Sequence, residues 1–144
     1  MVMRAASATW EGELFTGKGT VNLDSSNAAG PLDVNWPARA ESPNGVTSPE
    51  ELVAAAHATC YSMSLSNLLA KAGTPAERLD TTVQVHVEKT DAGFSVTRSE
   101  IKVRGTGSFE EAAFVEAATQ AKAACPISRA LNPSIEVTLD AALA

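Results

Sequence analysis

Between Leu52 and Ala70 the chain carries no Asp, Glu, Lys or Arg, and this gap constrains the fold more than any other feature. By length alone a charge-free run of this kind could cross a bilayer as a helix. It also holds His57, Thr59, Ser62, Ser64, Ser66 and Asn67, too many polar side chains to leave in lipid. The run is therefore expected as a helix buried in protein. Its ends are marked. Ser48 can cap the N-terminus, Pro49 suits the first helical position, and Glu51 stands three residues after Ser48 to complete a capping box. Lys71 falls in the last turn and Gly73 just beyond it. Turned at about 100° per residue, one side shows Val53, Ala56, His57, Cys60, Met63, Ser64 and Asn67, and the other Ala54, Ala58, Leu65 and Leu69. Neither side suits water. One can lie on a sheet, but the chain offers only one other long helix to cover the second. A homodimer is the natural source of that cover.

The remaining segments supply the sheet. "SATWEGELFTGKGTVNLD" reads as a hairpin turning at Thr16-Gly17-Lys18-Gly19. A polar connection over Ser25 to Asp33 leads into "VNWPARAE", expected as an extended segment that Pro37 confines to an edge or bulge. "SPNG" is a turn. "LDTTVQVHVEK" alternates, with Val83, Val85 and Val87 on one face and Gln84, His86 and Glu88 on the other; "TDAG" returns the chain into "FSVTRSEIKVRGT". Ser108 and Glu111 form a second capping box, opening a helix through Ala124 that Cys125-Pro126 interrupts. "ISRAL" is a short helical turn and "SIEVTLDAAL" a last strand. The order β-β-β-α-β-β-α-β predicts an α+β domain with an antiparallel sheet and two main helices, one domain over residues 1–144.

A chain of 144 residues can bury roughly 70 % of its unfolded surface, so no disulfide staple is required. The net charge of -6 would repel phosphate backbones, and nucleic acid is not an expected partner. The opening "MVMRAASATW" lacks the apolar core of a signal peptide. With no membrane partner expected either, the predicted location is cytoplasmic. In such a reducing compartment two cysteines are inert, metal-bound or catalytic.

Cys60 and Cys125 are 65 positions apart, so they form no CxxC motif, and only the fold can bring them together. A free cysteine on an apolar helix is most often an inert small hydrophobe. Cys125 precedes Pro126 and a short helix, where the helix N-terminus favours thiolate. Cys60 sits turns inside its helix and gains little from that dipole, so a reactive Cys60 needs a cation from elsewhere. His57 lies three residues before Cys60, which admits a Cys–His nucleophile pair, although a hydrogen-bonded packing role is the simpler reading. A zinc site would consume both cysteines and both histidines of the chain, so no metal and no cofactor is expected. His86 reads as a surface strand residue. Glu50 and Glu51 suit the first turn of a helix through its dipole. Arg39 reads, from its spacing alone, as a strand-edge charge.

"TSPEELVAAAHATCYSMSLS" followed by "AKAACPISRAL", with the early "GKGTV" and Trp10-Glu11-Gly12, closely resembles the OsmC/Ohr family, on its osmotically inducible OsmC branch. The likeness runs essentially end to end. It implies an OsmC-like fold in an intertwined homodimer, with active sites at the subunit interface, and a peroxidase that reduces organic hydroperoxides and, more weakly, hydrogen peroxide. Matched by position, Cys60 looks like the peroxidatic cysteine and Cys125 like the resolving one, Glu50 like the family's acidic residue and Arg39 like the arginine of the OsmC branch.

The implied chemistry is a Cys60 sulfenic acid, then a Cys60–Cys125 disulfide reopened by a dithiol reductant. Arg39 would lower the Cys60 pKa and stabilise the departing oxygen, while Glu50 braces the guanidinium. In a straight helix Glu50 lies about 15 Å along the axis from Cys60 and about 80° around it. Either the helix breaks before Ala54, or Glu50 and Arg39 come from the partner subunit, and the second is the expectation. Two readings of other classes stand beside this one: a non-catalytic dimeric binding or structural protein of the same fold, and a Cys–His hydrolase using Cys60 and His57.

Overall fold

The two predicted hairpins and the last strand pair, but the segment expected as a third strand contributes only Val34 and Asn35 to a strand that begins at Leu32, inside the expected connection. The computed structural model describes residues 1–144 and divides into two compact units, Met1–Leu52 and Val53–Ala144. In the first, β1 (Ser7–Glu11), β2 (Lys18–Asn22) and β3 (Leu32–Asn35) form an antiparallel sheet in that order. The hairpin loop lies over residues 12–17, so Lys18 and Gly19 belong to β2 rather than to the turn. Gly19 pairs with Trp10 and crowds the indole, and Gly12 takes the positive φ that starts the loop.

"VNWPARAE" departs from expectation. After β3 the chain turns into a short helix, α1 (Trp36–Ala40), instead of continuing extended. The cause is local: the Asn35 side chain accepts a 2.8 Å hydrogen bond from the Ala38 N–H, and Pro37 stands in the first turn, where its missing N–H costs nothing. The "SPNG" turn forms, with Asn44 and Gly45 both at positive φ. Ser48 Oγ accepts from the Glu51 N–H at 3.1 Å, as a cap should. Glu51 does not return the bond, because its carboxylate takes the Thr47 hydroxyl at 2.6 Å, and the box is only half made.

Helix α2 (Pro49–Lys71) is continuous. In the second unit β4 (Ala76–Thr90) and β5 (Gly93–Gly107) are a long antiparallel pair, with Val83 opposite Ile101 and Val85 opposite Ser99. The expected face of alternating valines is thus shared with Ser99, Ile101 and Val103, all buried. β6 (Glu136–Leu143) joins the outer side of β5 in parallel, so this sheet is mixed rather than purely antiparallel. The reason is the crossover: α3 (Glu111–Ala124) and α4 (Pro126–Leu131) carry the chain back before β6 begins, as a parallel connection requires. Ser108 does not cap α3; its N-cap position is Glu110 and makes no side-chain capping bond.

The core of this unit joins Tyr61, Leu65 and Leu69 of α2 to Ile101 and Val103 of β5, Phe114, Ala118 and Ala121 of α3, and Val137 of β6. The Tyr61 hydroxyl donates to the Ala118 carbonyl at 3.0 Å, which removes the cost of burying it. Phe114 lies directly on Gly105, where a Cβ would fall on its ring. Gly105→Ala is therefore expected to destabilise the fold by about 1–3 kcal/mol through overpacking, read as a lower urea midpoint with an unchanged slope. An unchanged midpoint would show that the Phe114 ring is free to move aside.

Candidate active site

The sequence-predicted residues fall into two constellations, one in each unit. In the first unit Arg39 lies in the last turn of α1 and Glu50 in the first turn of α2. Arg39 Nε and Nη2 donate to the same oxygen, Glu50 Oε1, at 2.9 and 2.7 Å. The Arg39 side chain keeps 35 % of its exposure and that of Glu50 only 11 %, so the carboxylate is the fixed member and the guanidinium the accessible one. Glu50 Oε2 is buried without a hydrogen-bond partner. The guanidinium carbon also stands 5.9 Å from the centre of the Trp36 ring, which is met edge-on by Phe15 at 5.4 Å. Arg39 is consequently a held cation rather than a loose strand-edge charge.

Beside it is a cavity of about 310 Å³ walled by Trp10, Leu14, Val34, Trp36 and Pro49, with Arg39 on its lining. Apolar walls with one positive group suit a substrate that pairs a hydrocarbon body with a polar or anionic end. A larger cavity of about 470 Å³ in the same unit is lined by Glu11, Lys18 and Asp33 and lacks Arg39. The smaller one has the better chemistry.

The second constellation is built on α2. Cys60 is partly exposed and Cys125, at the junction of α3 and α4, is fully buried; both are free thiols. The two thiols lie close enough for each to act on the other's ionisation. The fold thus brings together two residues whose spacing in the chain carried no such information. Cys125 occupies the N-cap position of α4, as its place before Pro126 suggested, without a side-chain capping bond. Against the cost of burial, the Ser128 N–H, the Ser128 hydroxyl, the Cys60 thiol and the Ile127 N–H together hold Cys125 below the ordinary thiol range. Cys60 goes the other way. Burial pushes its thiol up, the Ile127 N–H offsets this in part, and Cys125 adds to the rise. The mid-helix deficit read from the sequence is therefore present in the unit itself.

His57 is on α2 with Cys60 but turns elsewhere. Its Nδ1 is 2.8 Å from Ser99 Oγ and its Nε2 is 2.7 Å from Ser128 Oγ. Both nitrogens are thus engaged by serines, in keeping with a hydrogen-bonded packing role, and burial lowers its pKa. His86 lies on β4 with its Nε2 2.8 Å from Glu100 Oε2. Nowhere do three or more His, Cys, Asp or Glu side chains gather as they would around a metal ion. No helix is long and apolar enough to cross a membrane.

Ser99, Ser128, Leu14 and Trp36 were not singled out by sequence reasoning, and Trp10 entered only through the family resemblance. Ser128 had a signal, standing three residues after Cys125 in the first turn of a helix that begins with proline. Ser99 had none, since one serine in a strand is unremarkable until its neighbours are known. Helix α2 runs from Pro49 to Lys71 without the break before Ala54 that was one of the two alternatives.

The family described as OsmC-like protein matches residues 42–140, a segment that contains Glu50, Cys60 and Cys125 and begins just after Arg39. Peroxiredoxin OsmC of Escherichia coli (strain K12) is 39% identical over 143 residues, 96% of this chain and 95% of its own. Organic hydroperoxide resistance protein OhrA of Bacillus subtilis (strain 168) is 32% identical over 118 residues, 77% of this chain and 79% of its own. Among solved structures, the organic hydroperoxide resistance protein OsmC from Legionella pneumophila matches with a TM-score of 0.77 at 21% identity over 99% of each chain, a likeness of fold. With the family match spanning both cysteines and the Escherichia coli relative aligned almost end to end, the chain belongs to the OsmC-like protein family.

Proposed function

We propose that this protein is a thiol-dependent peroxidase that reduces organic hydroperoxides to alcohols, and hydrogen peroxide more weakly. The observation that carries the reading is the contact between its two free thiols, one reachable and one buried. Its curated relatives bear the names of a peroxiredoxin and an organic hydroperoxide resistance protein, which supports a peroxidase-type activity. Access assigns the roles. Peroxide meets partly exposed Cys60 first, and buried Cys125 is left to resolve. The Cys60 thiolate attacks the terminal oxygen of R–O–OH; the O–O bond breaks, the alkoxide takes a proton to leave as alcohol, and Cys60 becomes a sulfenic acid. Cys125 then displaces hydroxide from that sulfur, and a dithiol reductant reopens the disulfide by exchange.

The raised Cys60 thiol needs a cation, and in this reading it is Arg39 of the partner subunit in a homodimer. Glu50 does not serve the thiolate directly, because a carboxylate beside it would raise the thiol further. It holds the guanidinium. The apolar cavity at Arg39 favours alkyl or lipid hydroperoxides over hydrogen peroxide. Two features support the dimer. Trp10, Leu14 and Phe15 of the first unit and Met63 of α2 are exposed large apolar groups, and such surfaces mark contacts with another chain. An unbroken α2 is also in keeping with a partner origin of Arg39 and Glu50 for a given Cys60. The proposed location is the cytoplasm, where dithiol reductants are at hand. His57 gives the Cys–His hydrolase no support, since both its ring nitrogens are on serines.

Cumene or tert-butyl hydroperoxide with a dithiol is the direct assay. Cys60→Ser is expected to abolish turnover, and Arg39→Ala to lower kcat/KM by about a hundredfold or more; turnover that survives Cys60→Ser would remove the assigned role. Mixing the two variants should raise activity above that of Arg39→Ala alone, because each mixed dimer regains one site with both residues intact, and no recovery would place Arg39 in the same chain as its Cys60. Independently of peroxide, diamide is expected to remove both free thiols within one chain, seen as an intact mass lighter by two hydrogens and no crosslinked dimer on a non-reducing gel. Thiols that stay titratable under excess diamide would mean that the contact between them is not a productive one.

A further inference from the structure

The peroxidase reading assigns Cys125 the second chemical step, and the inference that follows rests on that reading. Cys125 is walled in. From α2 it faces Cys60 and Tyr61, and from α4 the Ser128 hydroxyl and the N–H groups of Ile127 and Ser128. Ser128 is in turn bonded to His57 at 2.7 Å, and His57 to Ser99 at 2.8 Å. The three side chains come from α4, α2 and β5, and none is more than 2% exposed. A polar chain that deep, fully bonded and ending on a reactive sulfur, is more than packing requires.

The direction of its hydrogens decides what it does. Burial keeps His57 neutral, so one ring nitrogen carries a proton and the other is bare. With the proton on Nδ1, bare Nε2 takes the Ser128 proton, and Ser128 offers Cys125 only a lone pair. With the proton on Nε2, the Ser128 oxygen is already an acceptor and its own proton is free for the Cys125 sulfur. In that arrangement Ser99 donates to Nδ1, and every donor in the chain points toward the sulfur.

We propose that His57 is a positioning residue which, held by Ser99 as the Nε2–H tautomer, turns the Ser128 hydroxyl onto Cys125 so that Cys125 attacks oxidised Cys60 as a thiolate. Cys125 first releases its proton to solvent. Its sulfur then bonds to the sulfenic sulfur of Cys60 as the S–O bond breaks; the Cys125 sulfur is oxidised and the sulfenic sulfur reduced, by one electron each. Hydroxide departs and takes one proton from solvent, so the balance is thiol plus sulfenic acid to disulfide plus water. The Ser128 proton stays on its oxygen throughout.

The test isolates Cys125 in Cys60→Ser and follows its thiolate ultraviolet absorbance against pH. Adding Ser128→Ala or His57→Gln is expected to lower the ionisation constant by about tenfold or more, the worth of a hydrogen bond to a charged group, and Ser128→Thr to restore it. An unchanged titration would overturn the proposal. With Cys60 intact, the same changes should slow disulfide formation relative to peroxide consumption at neutral pH, leaving a sulfenic acid that dimedone traps, and the deficit should close at alkaline pH. A deficit equal at all pH values would mark a merely structural role and overturn the proposal. Should His57→Gln not fold, nitrogen NMR of His57 in the reduced wild-type protein is expected to report the Nε2–H tautomer, and an Nδ1–H ring or an imidazolium would overturn it. Wild-type protein that consumes no peroxide would instead sink the peroxidase reading, while the titration and the tautomer would still answer for Cys125.

Discussion

Helix α2 has to bury a face without any charge to offer water, and the second unit is arranged around how it does so. His57, Tyr61, Leu65 and Leu69 recur every four residues, so they form one row along the helix. Each meets a different need. The leucines fill the core, Tyr61 spans to a carbonyl of α3, and His57 joins β5 to α4. Of the polar residues that ruled out lipid only His57 is fully buried; Thr59, Ser66 and Asn67 face outward, and half-buried Ser62 returns its hydroxyl to the Ala58 carbonyl at 2.8 Å. Cys60 is carried beside this row, and its position against Cys125 follows from the packing of the others.

That origin explains why the two thiols differ. Cys125 ends one helix and stands at the N-cap position of the next, where the Ile127 and Ser128 N–H groups favour negative charge. Cys60 is inside a helix whose N–H groups are used by its own turns, and burial without compensation disfavours its thiolate. A pair in contact with opposite tendencies suits a sequence of two attacks, provided that a cation serves the first. The first unit carries such a cation, braced by a buried carboxylate and set against apolar aromatic walls. The proposed dimer is the step that joins the two halves of this chemistry.

Much of this was legible in the chain, for identifiable reasons. The bounds of α2 were written in Ser48, Pro49, Lys71 and Gly73, because caps act on groups within a few residues of themselves. The valine alternation of β4 was equally local. Errors came where a local signal had a rival. Pro37 read as confining an extended segment to an edge or bulge, yet it stands in the first turn of a helix that starts when the Asn35 side chain reaches forward. Ser108 had the spacing of a cap but not the backbone position. The parallel sense of β6 had no local signature at all, since strand direction is set by the crossover and not by the residues of the strand. Cys60, Cys125, Arg39 and Glu50 were named through resemblance to known sequences; the spacing of the residues alone would have left both cysteines inert and Arg39 as a surface charge.

By itself, then, the sequence determined the quantities that depend on near neighbours: which segments are helix or strand, that α2 must be covered, that Cys125 stands at a helix start and that Cys60 lacks a cation of its own. Only the tertiary structure decided which distant groups meet. It set Cys60 against Cys125, turned His57 away from the thiol beside it on α2 and toward Ser99 and Ser128, and closed Arg39 onto Glu50. The physical reason is that capping and periodicity act over one or two turns of chain, whereas a thiol's reactivity and an imidazole's tautomer depend on atoms a few ångströms away in space, and those are supplied by whichever elements the packing of α2 brings against it.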